Sequence, residues 1–237
     1  LKNIITFSNT LNVPEEYFPI AASKKFPDWY KNLESYTGGE KKPDGFGTTT
    51  ATAKRCMPIF DSISAGYIIT THTDLFISQE FDAEIGETIP FYQWASFGAI
   101  EFHPKRQLPE HPDGDGHKLM YPKWTNSWGI KTPKGYSVLI VPPLHRDNEI
   151  IILPGFVDTD KYHAPVNFPF VLKNPKMSGL IPAGTPIAQI IPVKRDSWNA
   201  KSGSDKDFKE IDTIISRVKS LFFDSYKKQY RQPKEYT

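Results

Sequence analysis

Twenty-one prolines are spread along the chain, from Pro14 to Pro233. Each fixes φ and removes a backbone donor, so helices are kept short and strands joined by turns are favoured. From Thr48 onward β-type segments recur between them: TTTATAKRCMPIF, AGYIITTHTDLFI, IPFYQWASFGAIEF, YSVLIVPP, EIIILP, NFPFVL and PIAQIIPV. Their threonine, isoleucine, valine and aromatic content fits strands, and the middle of the chain is predicted to be all-β. A length of 237 residues allows one substantial domain with decorations or two small ones, and one core is the simpler expectation. Hydrophobic residues make up 38% and aromatics 14%, enough for a packed interior.

Charge and cysteine content narrow the partners. Twenty-nine basic and 27 acidic residues leave a net charge of +2, too balanced for a field that selects nucleic acid or an anionic membrane. The single cysteine, Cys56, excludes an intrachain disulfide framework and points to a reducing compartment, so the cytoplasm is expected. The stretch LKNIITFSNTLNVPEEYFPIAAS lacks the basic head and long apolar run of a secretory signal, and no apolar run of about 18 residues occurs. No membrane span is expected.

Three regions are predicted. Residues 1–47 read as an amino-terminal arm with a short helix near Pro27–Leu33; residues 48–198 as the β domain, with a turn-rich loop insertion near 103–123; residues 199–237 as a carboxy-terminal helix and tail. In the last region Phe208, Ile211, Ile215, Val218, Phe222 and Tyr226 fall at three- and four-residue spacing and line one helical face, broadened by Leu221 and Phe223. Ser204 and Asp207 form an S-x-x-D start close to a capping box. Such a stripe has to be buried, ordinarily within the chain and otherwise against another subunit.

Four motifs share an order: Ser64-Ala65-Gly66-Tyr67; Thr132-Pro133-Lys134-Gly135-Tyr136; Gly155-Phe156-Val157-Asp158-Thr159-Asp160-Lys161-Tyr162; and Gly184-Thr185-Pro186-Ile187-Ala188-Gln189-Ile190. Together they resemble the dUTPase and dCTP deaminase superfamily over about residues 60–195. The resemblance implies a dUTPase-like β-barrel or distorted jelly roll, assembled as a homotrimer with sites between subunits. It also implies that Asp158 orients an attacking water and that the Tyr162 ring packs on a nucleoside. If the chain hydrolyses nucleotides, Arg146 and Gln189 are expected to contact phosphates, with His145 and Asp160 as further candidate ligands and Mg2+ as the cofactor. KKFPDWYKNL and KWTNSWGIKTPKGYS are also similar to a group of phage and bacterial proteins, which suggests a viral setting, in a phage-infected host cell.

The chemistry of these residues allows a second reading. A carboxylate at a hairpin mouth can accept a proton from water beside an aromatic face, yet aspartates in turns also bond their own backbone. Gln189 can donate to a phosphate or satisfy a neighbouring strand. Lys161, inserted between Asp160 and Tyr162, reverses the face of the ring on a strand unless a bulge absorbs it. Ile68-Ile69 stand where the family has an acid, and Pro143-Leu144-His145-Arg146-Asp147 replaces its Arg-Ser-Gly phosphate turn. No glycine-rich arginine arm follows, and no glutamate lies between Glu149 and Glu210. These departures favour a non-catalytic interaction or structural module over a nucleotide pyrophosphohydrolase.

Other groupings give weaker expectations. His103, His111 and His117 share a loop with Glu110, Asp113 and Asp115, donors suited to a metal, so a metal-dependent β-barrel enzyme is a third reading. His72 and Asp74 fall on one strand face, with His163 the remaining candidate for a cupin-like set. Cys56 beside Arg55 is either an activated thiol or a buried small hydrophobe. Trp94, Trp124 and Trp128 with Phe91, Tyr92 and Tyr121 form either a base-stacking platform or core.

Overall fold

A computed structural model describes residues 3–43, 49–95, 98–108, 120–220 and 225–237. The chain divides into two compact units, the first made of residues 1–25 and 66–195 and the second of residues 26–65 and 196–237. The protein is mainly β, with several antiparallel sheets and a carboxy-terminal helix.

The first unit contains the strands β1 (Thr6–Asn9), β2 (Ile20–Ala21), β3 (Tyr67–Thr70), β4 (Leu75–Asp82), β5 (Glu87–Trp94), β6 (Ile100–Pro104), β7 (Met120–Trp124), β8 (Trp128–Lys131), β9 (Tyr136–Val141), β10 (Ile150–Ile152), β11 (Gly155–Val157), β12 (Phe168–Leu172), β13 (Gly179–Ile181) and β14 (Pro186–Lys194). They form a five-stranded sheet in the order β11-β9-β14-β3-β2, a four-stranded sheet β10-β12-β7-β6, a three-stranded sheet β13-β4-β5 and the pair β1-β8. Every pairing is antiparallel, and none of the four sheets closes into a barrel among the described residues. The inward faces meet in one core that includes Ile69, Leu75, Ile77, Trp124, Val138, Ile140, Ile152, Phe170, Ala188 and Ile190.

Along β3 and β14 the burial does not alternate. Ile68, Ile69, Ile187, Ala188, Gln189 and Ile190 are each at most 1% exposed, so these strands are covered on both faces, which explains their near-continuous apolar sequence. The approach of the two strands depends on Gly66. Its φ is +66°, and a Cβ there would lie 1.9 Å from the Ile190 carbonyl oxygen, so only glycine lets β3 start alongside β14. The Gly66 carbonyl also accepts the Ala22 N–H at 2.9 Å, seating β2 on the edge of β3. The amino-terminal segment up to Lys25 thus belongs to the first unit, to which β1 and β2 contribute strands.

The second unit contains α1 (Asp28–Asn32), α2 (Met57–Ser64) and α3 (Asp205–Ser220). The expected short helix is α1, with Pro27 in the capping position. The segment TTTATAKRCMPIF is not a strand: Ala53–Arg55 make a 3-10 turn and Met57–Ser64 a helix, with Pro58 in the first turn where its missing N–H is harmless. Phe26 stacks on Tyr30 and Phe60 at 5.4 and 5.5 Å between ring centroids, and the Arg231 guanidinium lies 5.3 Å from the Phe60 ring. Asp61 receives both Arg231, at 2.8 Å, and Lys234, at 3.1 Å, tying the 226–237 segment to α2.

The start of α3 has the expected cap. Asp207 Oδ2 accepts from the Ser204 N–H and hydroxyl at 2.6 and 2.7 Å, while Ser204 Oγ faces the Asp207 N–H. Its apolar stripe does not pack inside the chain as expected. Phe208, Ile211 and Ile215 are 62%, 49% and 43% exposed. The side chain of Val218, and Leu221, Phe222 and Phe223, lie outside the described residues. No helix of the described residues is long and apolar enough to cross a membrane.

Candidate functional site

The segment that carries Asp158 and Asp160 is a turn, not the second arm of a hairpin. β11 lies on β9, with Gly155 opposite Ile140 and Val157 opposite Val138. Beyond Val157 the chain curls, and the N–H groups of Lys161 and Tyr162 both donate to the Asp158 carbonyl, at 3.0 and 2.9 Å. Because 158–162 is a closed turn, the extra Lys161 is taken up there and no strand alternation is disturbed. Buried Thr159 plugs the turn: its hydroxyl meets that of Thr132 at 2.7 Å, and its carbonyl accepts the Thr132 N–H.

Both aspartates turn toward Arg195, which follows the last residue of β14. Arg195 Nη1 lies 2.9 Å from Asp160 Oδ1, 3.1 Å from Asp158 Oδ1 and 3.1 Å from Ser137 Oγ, while Nη2 binds Asp160 Oδ2. The Ser137 hydroxyl donates to Asp158 Oδ1 at 2.7 Å, and the Gly135 N–H donates to Asp160 Oδ2 at 2.9 Å. The Asp160 side chain is 3% exposed, whereas that of Asp158 is 62% exposed. The Arg195 hydrogen bonds, then the Gly135 N–H, hold the Asp160 carboxyl down to about 2. The Ser137 hydrogen bond, reinforced by Arg195, lowers that of Asp158. An efficient general base has a pKa near the working pH, and the net effect of the groups around Asp158 moves it the other way.

The remaining sequence-predicted residues stand elsewhere. Gln189 is fully buried on β14 and its Oε1 accepts the Leu144 N–H at 2.9 Å, fixing the turn that contains His145 and Arg146. His145 occupies the left-handed region with φ +56°. The Arg146 guanidinium donates to the Lys25 carbonyl, and Lys25 Nζ to that of Gly184 at 3.0 Å. β14 pairs with β9 from Gln189 opposite Val141 to Lys194 opposite Tyr136, and Arg195, just past the end of the strand, is six residues on from Gln189. At roughly 3.3 Å per residue that is about 20 Å. Within one chain, therefore, Asp158, Asp160 and Tyr162 gather at one end of the five-stranded sheet, and Gln189, His145 and Arg146 at the other.

Magnesium fits poorly here. It is held through one or two free carboxylates and its own waters, whereas Asp158 and Asp160 already share the Arg195 cation and one of them is buried. Elsewhere, His103 Nδ1 is 2.5 Å from Gln107 Oε1, and His111 and His117 lie outside the described residues. His72 packs edge-on against Trp124, its pKa lowered by burial, and Asp74 accepts the Ala183 N–H at 2.7 Å. Among the described residues no group of three or more His, Cys, Asp and Glu side chains is placed to hold a metal. Tyr92, Tyr121, Trp124 and Trp128 are core residues, and Cys56, half-buried, occupies the position before α2 without a side-chain capping bond.

The contacts of Arg195, Ser137 and Gly135 with the aspartates were not found from the sequence, although Gly135 stands in one of the four motifs. Their link to the aspartates comes from strand register, since pairing Lys194 with Tyr136 puts Arg195 beside Gly135. No protein-family model and no curated protein matches the chain. The likeness to dUTPases and dCTP deaminases therefore rests on the four motifs.

Proposed function

We propose that the chain is a divergent protein of the dUTPase-like fold, of phage or bacterial type, that acts as a non-catalytic interaction or structural module in the cytoplasm. The supporting observation is the clasp at Arg195: the aspartate that would activate water is bound to Ser137 and Arg195, and its neighbour is buried against the same guanidinium. A site built for hydrolysis needs a carboxylate free to take a proton and a cation free to meet phosphate. Here each has been used to close the end of the β11-β9-β14 sheet. The fold is retained while its polar residues serve stability.

One observation favours a second reading, a nucleotide-binding protein or pyrophosphohydrolase. The exposed oxygen of Asp158 and the 53% exposed Tyr162 stand on the same turn, where an aromatic face and an acceptor suit a nucleoside. A thermal-shift screen of nucleoside mono-, di- and triphosphates, with and without Mg2+, separates the two. A ligand at 100 times its Kd adds roughly 2.7 kcal/mol to stability, well above detection. No shift with any nucleotide is the expected result. A shift removed by Asp158→Ala together with Tyr162→Ala, accompanied by pyrophosphate release, would overturn the non-catalytic reading.

A further inference from the structure

The outward face of the β13-β4-β5 sheet presents aromatic and aliphatic side chains to solvent. Leu180 is opposite Phe76, Phe76 opposite Gln93, and Ser78 opposite Phe91, so these residues share one face. Ile181, Leu75, Ile77 and Tyr92 occupy the other, which belongs to the core. Phe76, Phe91 and Leu180 are 46%, 44% and 56% exposed. Phe76 stands between Leu75 and Ile77, both fully buried, so its exposure comes from the alternation of a well-packed strand and not from a frayed end.

The same face becomes acidic toward the tip of the β4–β5 hairpin. Glu80 follows, opposite Ile89, and then Asp82, opposite Glu87. The Ser78 hydroxyl donates to Glu80 Oε1 at 3.2 Å, a neutral donor that leaves the negative charge in place. From Thr71 to Ala95 the chain holds five acids and no lysine or arginine, in a protein whose net charge is +2. The apolar end is three strands wide, about 10 Å, and Phe76 to Asp82 spans about 20 Å, the footprint of one helix of about 13 residues.

These charges select the occupant. A nucleic acid or an anionic membrane is repelled by them. A second copy laid face to face would set its own acids either against these acids or on the aromatic rings, without a counter-charge in either arrangement. Strand addition is blunted as well: of the two edge strands among the described residues, β13 has three residues, and β5 carries Pro90, which has no N–H to donate. We infer that this face is a docking surface for a basic amphipathic helix of another protein, its apolar stripe on Phe76, Phe91 and Leu180 and its lysines or arginines over Glu80 and Glu87. The surface uses none of the residues of the Asp158 turn and stands or falls independently of whether that turn binds nucleotide. It is small for a protein interface, so binding is weak, reversible and reduced by salt.

The probe is a helical peptide of about 14 residues with leucine and lysine at amphipathic spacing, and its control is the same peptide with glutamate for lysine. Titrated into the isotope-labelled full chain and followed by amide NMR, the lysine peptide is expected to move signals of β4, β5 and β13, and the glutamate peptide none. Phe76→Ser with Phe91→Ser should weaken binding by about tenfold or more. Glu80→Gln with Glu87→Gln should weaken it several-fold at low salt and leave it unchanged at high salt. All four positions are exposed, and an unchanged thermal transition verifies that the variants fold. Binding of neither peptide, equal binding of both, shifts confined to another surface, or indifference to the Phe76 and Phe91 changes would each overturn the docking surface. So would self-association of the free chain, or its attachment to anionic vesicles, if the Phe76 and Phe91 changes abolish it.

Discussion

The Asp160 carboxylate lies buried between Arg195 and the Gly135 N–H, and this placement sets how the first unit responds to acid. Its pKa is about 2 in the fold against an ordinary 3.8. A depressed carboxylate contributes stability that is complete above the unfolded value and lost as pH falls through the folded one. The window is thus pH 4 down to pH 2. Asp160→Asn should melt at lower temperature than the parent at pH 7, and the two melting curves should converge as pH approaches 2 in differential scanning calorimetry. Arg195→Lys should recover only part of what Arg195→Met loses, since one ammonium cannot span both Asp160 oxygens. Gln189→Leu keeps the volume but leaves the Leu144 N–H without its acceptor; a loss of about 1–3 kcal/mol by urea titration is expected. The aspartates were legible because a motif surrounds them. Arg195 and Ser137 were not, because no spacing connects residue 195 to residues 158 and 160 until β14 is laid against β9.

Among the elements, β3 and β14 show most directly how composition becomes structure, and their join tolerates least. Gly66→Ala combines a left-handed φ with a methyl group 1.9 Å from the Ile190 oxygen, so it should cost well over the roughly 1 kcal/mol of a left-handed alanine alone. Gly135→Ala has φ +86° but open space around its Cβ, and it should cost only the backbone share. Comparing the two urea midpoints checks whether the clash, not the dihedral, governs the β3–β14 approach. The strands rich in isoleucine, valine and aromatics were readable from sequence, as was α3 from its 3-4 spacing and its Ser204-Asp207 start. The threonine-rich run before Cys56 misled for a physical reason. Its residues favour strands singly, but Met57-Pro58 begins a helix, and their preference is expressed only as the isolated antiparallel bridges of Thr49 with Pro43 and Ala51 with Tyr36. The two- to four-residue strands β1, β2, β11 and β13 are too short to carry a period and exist because a partner is present.

At the scale of the whole molecule, the two pieces of chain that make the second unit are joined through the half-buried Asp61 carboxylate, which α2 offers to Arg231 and Lys234. Its hydrogen bond from Arg231 lowers its pKa, so this tie too loosens only below the ordinary carboxylate range. Arg231→Met removes two partners of α2 at once, the ion pair and the cation over Phe60. Trypsin should then cut after Lys227 or Lys228 faster than in the parent, with strands of the first unit left intact, as read by mass spectrometry of the early fragments. An unchanged rate would show that Arg231 does not hold the segment. The chain reaches this arrangement by an unusual route, leaving the first unit after Lys25 and returning to it at Gly66. Residues 26–65 and 196–237 belong together but are separated in sequence by the 130 residues from Gly66 to Arg195. During translation at roughly 5–20 residues per second, the earlier piece waits on the order of ten seconds for the later one. For that interval Phe60 has no Arg231 to cover it, and Asp61 lacks both Arg231 and Lys234. The nascent chain is thus most open to proteases, and to capture by a neighbouring polysome, after its largest fold can already form and before its smallest can.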